Sequence, residues 1–392
     1  MCQTHPMRGM SISTMATTTT TIRAIAIMFG VFAIVKNMFS FSNIYKCYRE
    51  CRKNKTTKIN TLEFEMKLLD NLWKLHGELV DKTYKIGKSI CFLTHSPKLR
   101  EVFAADFRDR VVHHILVKEL ESFYETKFIS DVYNNRKNKG IHRGAKKAQS
   151  YMQRYQNGYY MQLDIKGFFY NLDKNILFKK LYDDVAKSKL ENKENILWLA
   201  NKIIYHKPQL DFIFKGDINK LQKMPPHKTL FKIPPSKGLA IGNLTSQFFA
   251  NVYMNKFDNF LKRVCKIKSY IRYVDDFVIF EDSKQKLIEL KTKIEQYLAF
   301  ELSLELRNDV KIKSINDGLD FLGYIIRPNY ILVRQRVVNN FKYKKAKFYH
   351  YYENGGDGDL PTILKYNNTV ASFVAHIKHA NSYNLKRNVG VL

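Results

Sequence analysis

Three aspartates interrupt apolar, β-prone runs, and these are the positions where the chain could do chemistry. Asp275 and Asp276 stand in Tyr273-Val274-Asp275-Asp276-Phe277, flanked by Tyr270 and Ile271 before and by Val278, Ile279 and Phe280 after. Asp164 stands more than a hundred residues upstream, in Leu163-Asp164-Ile165-Lys166-Gly167-Phe168-Phe169-Tyr170. Burying adjacent carboxylates bare would cost several kcal/mol. A hairpin tip instead lets both reach one cation-filled site. The competing reading is an ordinary acidic turn. A Tyr-x-Asp-Asp string arises by chance in about 5% of chains this long, so it needs the upstream aspartate to carry weight. Three carboxylates on neighbouring antiparallel strands can hold two Mg²⁺ ions about 3.5–4 Å apart. One ion would lower the pKa of an attacking hydroxyl and the other would neutralise a leaving pyrophosphate. Mg²⁺ prefers hard oxygen ligands and keeps positions open for phosphate oxygens. The chemistry implied is nucleotidyl transfer.

Elements must place these carboxylates together. Residues 159–165 read as a strand running into Asp164, and 268–281 as two short strands with the paired carboxylates between them. Helical periodicity runs from Asn43 to about Asp81, through Leu62, Phe64, Met66, Leu68, Leu69, Leu72 and Leu75. A second helix is expected over 108–128, with Val112, Ile115, Leu116, Leu120 and Phe123 as its buried stripe. Others are expected over 174–187, from near Asn243, and over 284–300. Pro208, Pro225, Pro226, Pro234 and Pro235 make 206–240 irregular. Two basic, aromatic helices, at about 335–353 and 361–380, are split by Gly355-Gly356-Asp357-Gly358-Asp359. The order is mixed and does not alternate strictly, which favours α+β with an antiparallel sheet over a doubly wound parallel one.

Composition narrows the partners. The chain has 66 Lys and Arg against 36 Asp and Glu, a net charge of +30, and so lopsided a charge points to a polyanion. A hydrophobic content of 45% excludes a disordered basic tail. Only 17 Gly and 9 Pro exclude collagen-like or low-complexity chains. Cys2, Cys47, Cys51, Cys91 and Cys265 are odd in number and scattered, which excludes a disulfide scaffold and suits a reducing, cytoplasmic setting. Cys47 and Cys51 lack a partnering His or second Cys pair, so zinc is not indicated. Lys46, Arg49, Arg52, Lys53, Lys55 and Lys58 face only Glu50 in opposition, as a solvated face or a phosphate contact. The apolar stretch Ala24–Val35, between Arg23 and Lys36, is too short for a spanning helix of about 20 residues. No small-x-small cleavage pattern follows it. Residues 1–37 are therefore expected to be a leader, disordered or outside the core, and no stable membrane partner is expected. A targeting role is the alternative for this stretch.

Taken in order along the chain, these strings resemble a reverse transcriptase of bacteria or their phages, over roughly residues 43–392. The strand ending on Asp164 resembles polymerase motif A. Gly238-Leu239-Ala240-Ile241-Gly242-Asn243-Leu244-Thr245-Ser246-Gln247 resembles motif B, and Tyr273 to Asp276 resembles motif C. Phe321-Leu322-Gly323-Tyr324 is similar to the primer-grip hairpin. Pro97-Lys98-Leu99-Arg100 and Arg108-Asp109-Arg110-Val111-Val112-His113-His114 are similar to fingers motifs. Motif B starts with Ile241-Gly242 and ends with Ser246-Gln247, where intron and retron enzymes carry Gln-Gly and Ser-Pro. That is similar to the enzymes of diversity-generating retroelements. So are His227-Lys228-Thr229-Leu230-Phe231 and Ser372-Phe373-Val374-Ala375-His376-Ile377-Lys378-His379-Ala380. Ala240 departs from the more usual Pro.

The resemblance implies an α+β right-hand polymerase with fingers, a palm built on an antiparallel sheet, and a helical thumb. Its divisions would be an N-terminal helical, basic segment at 38–95, fingers and palm at 96–326, and a thumb at 327–392. The activity implied is RNA-directed DNA synthesis, error-prone, within a diversity-generating retroelement. A retron-like or phage-defence enzyme is the alternative, and an RNA-binding structural protein is the non-enzymatic one. Asp164, Asp275 and Asp276 would be the catalytic and metal-holding residues, joined by the backbone carbonyl of Ile165. Two Mg²⁺ ions are implied, with Mn²⁺ able to substitute. Lys98 and Arg100 would clamp the triphosphate. Phe169 would lie beneath the sugar and exclude a 2′-hydroxyl. Ile241, Gly242 and Gln247 would border the nucleotide, with Gly242 allowing close backbone approach. Phe321, Leu322, Gly323 and Tyr324 would grip the primer. The partners implied are template RNA, a primer or cDNA strand, dNTPs and a basic accessory protein. His113, His114 and His142 have no metal-ligand constellation and read as structural or RNA-facing.

Overall fold

The computed structural model describes residues 37–94, 99–356 and 359–391. The expected leader, apart from its last residue, and Lys98 lie outside the described residues. The first expected helix is three: Phe41–Arg52 (α1), Ile59–Met66 (α2) and Leu68–Val80 (α3). Asn54 at φ +60° follows α1, and Lys67 at φ −128°, ψ 47° breaks the line between α2 and α3. Ser40 caps α1 by accepting from the Asn43 N–H. The buried face of α1 is Ile44, Cys47, Tyr48 and Cys51, at helical spacing. The two cysteines are thus core residues, and burial pushes the Cys47 thiol up to about 11.

Ser89–Thr94 (β1) pairs antiparallel with Arg100–Ala104 (β2). Phe107–Glu125 (α4) follows, capped by Asp106, and its Val111, Val112, Ile115, Leu116 and Leu120 are fully buried. Ile141–Arg154 (α5) leads into Tyr159–Asp164 (β3), a single turn at Phe168–Asn171 (α6), Lys174–Ala186 (α7) and Lys193–Tyr205 (α8). The segment expected to be irregular carries Phe212–Lys215 (β4), which pairs parallel with β1, and Ile218–Gln222 (α9). Leu244–Asn259 (α10) precedes Tyr270–Tyr273 (β5), Asp276–Glu281 (β6), Lys284–Leu302 (α11) and Lys311–Ser314 (β7).

The central sheet has the order β5-β6-β3-β7 and is antiparallel throughout. Alternation along its strands divides two cores. Met161, Leu163, Phe277 and Ile279 join the large cluster formed with α4, α7, α10 and α11. Tyr160, Ile271, Val278 and Phe280 turn the other way, onto Ala145, Ala148, Tyr151 and Met152 of α5. That second core also takes in a sheet of Leu319–Phe321 (β8), Tyr324–Ile326 (β9) and Ile331–Val333 (β10). Gln335–Glu353 (α12), Leu360–Ile377 (α13) and Tyr383–Val389 (α14) close around Val338, Phe341, Phe373, Ile377 and Val389. The Phe341 and Phe373 rings stack at 3.9 Å. The fold is mixed α+β. Among the described residues no helix is long and apolar enough to cross a membrane.

Candidate active site

Strand register brings the carboxylates together. In the β3–β6 pairing Asp164 stands opposite Asp276. Tyr273 also stands opposite Asp276, so Val274 and Asp275 form a two-residue turn between β5 and β6. Val274 sits at φ +60°, in the left-handed region, at a cost of about 1–2 kcal/mol for an L-residue. Burial pushes the Asp276 carboxyl up to about 7, and the charges of Asp164 and Asp275 add to the rise. Gln162 opposes it by donating from Nε2 to Asp276 Oδ1 at 3.3 Å. The same Nε2 donates to the Asp320 carbonyl at 3.1 Å, which ties β8 to the carboxylates.

Asp164 is held at two points by Arg307, in the loop between α11 and β7. The Arg307 N–H donates to the Asp164 carbonyl at 2.9 Å, and Nη1 lies 3.1 Å from Oδ2. Among the described residues no group of three His, Cys, Asp or Glu side chains closes to metal-holding distances. In this arrangement Arg307 supplies counter-charge to one oxygen of Asp164. Behind the turn, Arg272 is fully buried in a two-pronged pair with Asp258. Nε reaches Oδ1 at 2.8 Å and Nη2 reaches Oδ2 at 2.6 Å.

The other sequence-predicted residues that the structure describes lie on several elements and the turns between them. Phe169 is half-buried against Phe168, with ring centroids 5.4 Å apart. Its carbonyl accepts from the Leu239 N–H at 2.8 Å, so the 164–170 and 238–247 segments adjoin. Ile241 packs beside the cluster of Phe103, Tyr170 and Leu230, and its carbonyl accepts from the Phe103 N–H at 2.9 Å. Gly242 has φ +122°, and a Cβ there would meet Val102 Cγ1 at 2.7 Å and the Phe103 carbonyl oxygen at 3.1 Å. The close approach that demands glycine is to β2. Gln247 and Arg100 are exposed. Phe321 and Tyr324 are buried around a turn in which Leu322 has φ +54° and Gly323 φ +87°. The Tyr324 hydroxyl lies 2.7 Å from His142 Nδ1 and donates to the His376 carbonyl at 2.9 Å. The Tyr324 and His376 rings stack at 4.4 Å. His113 is a buried core histidine, pushed down to about 3 by desolvation.

Sequence reasoning did not single out Glu101, Asp258, Arg272 or Arg307. Glu101 is buried in β2 and accepts from Thr229 Oγ1 at 2.5 Å and from the Leu230 N–H at 2.9 Å. It thereby anchors the 227–231 string noted above. Burial raises its pKa. A charged residue inside an apolar strand was the available signal for both Glu101 and Arg272.

A family model described as "Reverse transcriptase (RNA-dependent DNA polymerase)" matches residues 94–326. Protein YkfC of Escherichia coli (strain K12) is 22% identical over 328 residues, covering 74% of this chain and 80% of that protein. Among solved structures, telomerase from Candida albicans, in complex with a TWJ fragment of telomeric RNA, aligns at 12% identity with a TM-score of 0.44. It covers 74% of this chain and 54% of that one. Apo telomerase from Candida tropicalis aligns at 12% identity and a TM-score of 0.44, covering 66% and 51%. The chain thus spans about half the length of the solved chains it matches. Because the family model matches residues 94–326, more than half of the 392-residue sequence and a span that includes all three aspartates, the protein belongs to the reverse transcriptase family.

Proposed function

We propose that the chain is an RNA-directed DNA polymerase that extends a primer along an RNA template by two-metal-ion nucleotidyl transfer. The observation that carries this reading is the register of Asp164 opposite Asp276, with Asp275 in the adjoining turn. The donors fit divalent metal. They are hard oxygens, and the raised Asp276 pKa reflects burial and negative charge that a cation would compensate. Asp164, Asp275, Asp276 and the Ile165 carbonyl would hold the ions. When bound, Mg²⁺ would acidify the primer 3′-hydroxyl and neutralise the pyrophosphate as the bond to the α-phosphorus forms and the α–β bridge breaks.

The chain's own residues would do the rest. Arg100, with Lys98, would hold the triphosphate by charge-assisted hydrogen bonds. Phe169 would fill the space a 2′-hydroxyl needs. Ile241, Gly242 and Gln247 would border the nascent pair, and Phe321 to Tyr324 would hold the primer end. The divisions proposed are an N-terminal segment at 38–95 behind the 1–37 leader, fingers and palm at 96–326, and a thumb at 327–392. The finer reading is an enzyme of a diversity-generating retroelement, working with a basic accessory protein. Its support is the apolar Ile241 together with the 227–231 string that Glu101 anchors and the 372–380 string whose His376 stacks on Tyr324. Primer extension on RNA with dNTPs and Mg²⁺ is the test. Wild-type protein should extend, and Asp164→Ala and Asp275→Ala should lose extension while keeping the wild-type circular dichroism. Substantial extension by either purified variant would sink the two-metal assignment.

A further inference from the structure

The turn that carries Asp275 rests on a β-branched residue in a conformation such residues rarely adopt. Val274 lies at φ +60°. Both of its backbone polar groups are gripped by side chains. Its N–H donates to Asn134 Oδ1 at 3.0 Å, and its carbonyl accepts from Arg272 Nη1 at 2.9 Å. The two grips are joined through Asn251 on α10. Asn251 Nδ2 donates to the Asn134 carbonyl at 3.0 Å, and Asn251 Oδ1 accepts from Arg272 Nη1 at 3.3 Å. Four residues from three parts of the chain therefore close a hydrogen-bonded ring, and Asn134, Asn251 and Arg272 are all buried in it.

Further hydrogen bonds brace the ring from outside. The pair with Asp258 fixes the Arg272 guanidinium in its plane. The backbone of Arg272 is also held, because its N–H donates to the Asp131 carbonyl at 3.0 Å and its carbonyl accepts from the Tyr133 N–H at 2.9 Å. Asn134 keeps its oxygen on Val274 although, among the described residues, its own buried Nδ2 has no hydrogen-bond partner. An unsatisfied buried donor calls for an explanation, and the acceptor that the same side chain gives to Val274 is one.

We propose that Asn134, Asn251 and Arg272 are positioning residues that clamp Val274 in the left-handed conformation. The clamp would keep Asp275 and Asp276 aimed at Asp164. The inference rests on the reading of those aspartates as catalytic. Without the clamp, Val274 relaxes toward negative φ, and the turn swings Asp275 away.

The test uses the full chain. Asn134→Ala removes one grip and little volume. Its kcat for dNTP addition on an RNA template should fall about tenfold or more, with KM for dNTP and the unfolding midpoint close to wild type. Amide exchange in a peptide spanning 270–277, measured without substrate, should quicken. Adding Val274→Gly to Asn134→Ala should restore most of the lost kcat, because glycine takes φ +60° without a Cβ penalty. Val274→Gly alone sets the reference. If Asn134→Ala does not fold, Asn251→Ala opens the ring on the opposite side and carries the same expectations. Wild-type kcat and exchange in the clamp variants would overturn the proposal, and so would a kcat loss that Val274→Gly leaves unrepaired. The exchange measurement needs no catalysis, so it reads the clamp even if wild-type protein extends no primer. Failure to extend would count against the polymerase reading alone.

Discussion

Replacing Asp258 by Asn should be among the most damaging conservative changes in the chain. Asp258 and Arg272 are both fully buried. Arg272 donates to both Asp258 oxygens, at 2.8 and 2.6 Å, and the Tyr270 hydroxyl adds a third bond to Oδ1 at 2.8 Å. Asparagine keeps one acceptor oxygen, but it turns an NH₂ toward guanidinium N–H groups and leaves a cation without its counter-charge. Breaking a buried pair from one side costs about 3–5 kcal/mol. At about 2 °C per kcal/mol, the low end for larger chains, the unfolding midpoint should drop by about 6–10 °C. Urea titration should give the same loss as a lower midpoint at unchanged slope. A loss under about 1 kcal/mol for Asp258→Asn would refute the reasoning, because it would mean that water or another group replaces the carboxylate.

Without metal, the contribution of Asp276 to stability should fall as pH rises from the ordinary carboxylate value of 3.8 through about 7. In that window folded Asp276 holds a proton that the unfolded chain has released. Thermal unfolding against pH should lose this component in Asp276→Asn, and added Mg²⁺ should offset it most at the alkaline end. A metal-free profile identical in wild type and variant would contradict the shift. Phe169→Val should open space beneath the ribose and raise ribonucleotide incorporation, and unchanged discrimination between dNTP and rNTP would show that Phe169 only packs against Phe168. Ile241→Gln should lower misincorporation opposite template adenine while preserving extension, because an amide can hold a correct pair in register where a branched apolar chain cannot. A loss of about 1.4 kcal/mol in discrimination is tenfold. Sequenced cDNA with an identical error spectrum from both proteins would remove Ile241 from that role.

The carboxylates were legible because they stand where apolar strands end or begin: Asp164 closes β3, Asp276 opens β6, and Asp275 lies in the turn before it. The register that sets Asp164 against Asp276 was not, since it depends on pairing between distant segments. Helix α5 went unread for a local reason. Its core face is Gly144, Ala145, Ala148, Tyr151 and Met152, small or amphipathic residues that leave no visible apolar stripe. Strand β4 lay hidden among prolines, and its partner β1 is far away in sequence. Helix α8 shows its period openly in Ile196, Leu199, Ala200 and Ile204, yet it was not anticipated. Asn134 precedes α5, Asn251 and Asp258 lie on α10, and Arg272 lies on β5, so three distant segments supply the four side chains. Only the tertiary fold makes them one network.

The position of β3 in the central sheet has a consequence for how the protein is made. Both of its neighbours, β6 and β7, lie C-terminal to it. On the ribosome, β3 emerges with two open edges; one can close only after Asp276–Glu281 has been synthesised, and the other only after Lys311–Ser314. At about 5–20 residues per second, the wait from Asp164 to Ser314 is roughly 8–30 s. Throughout it, Tyr159 to Gln162 keeps at least one unpaired edge open to other chains. Expression yield should therefore be limited by elongation through residues 165–314, and slowing translation there should increase the insoluble fraction.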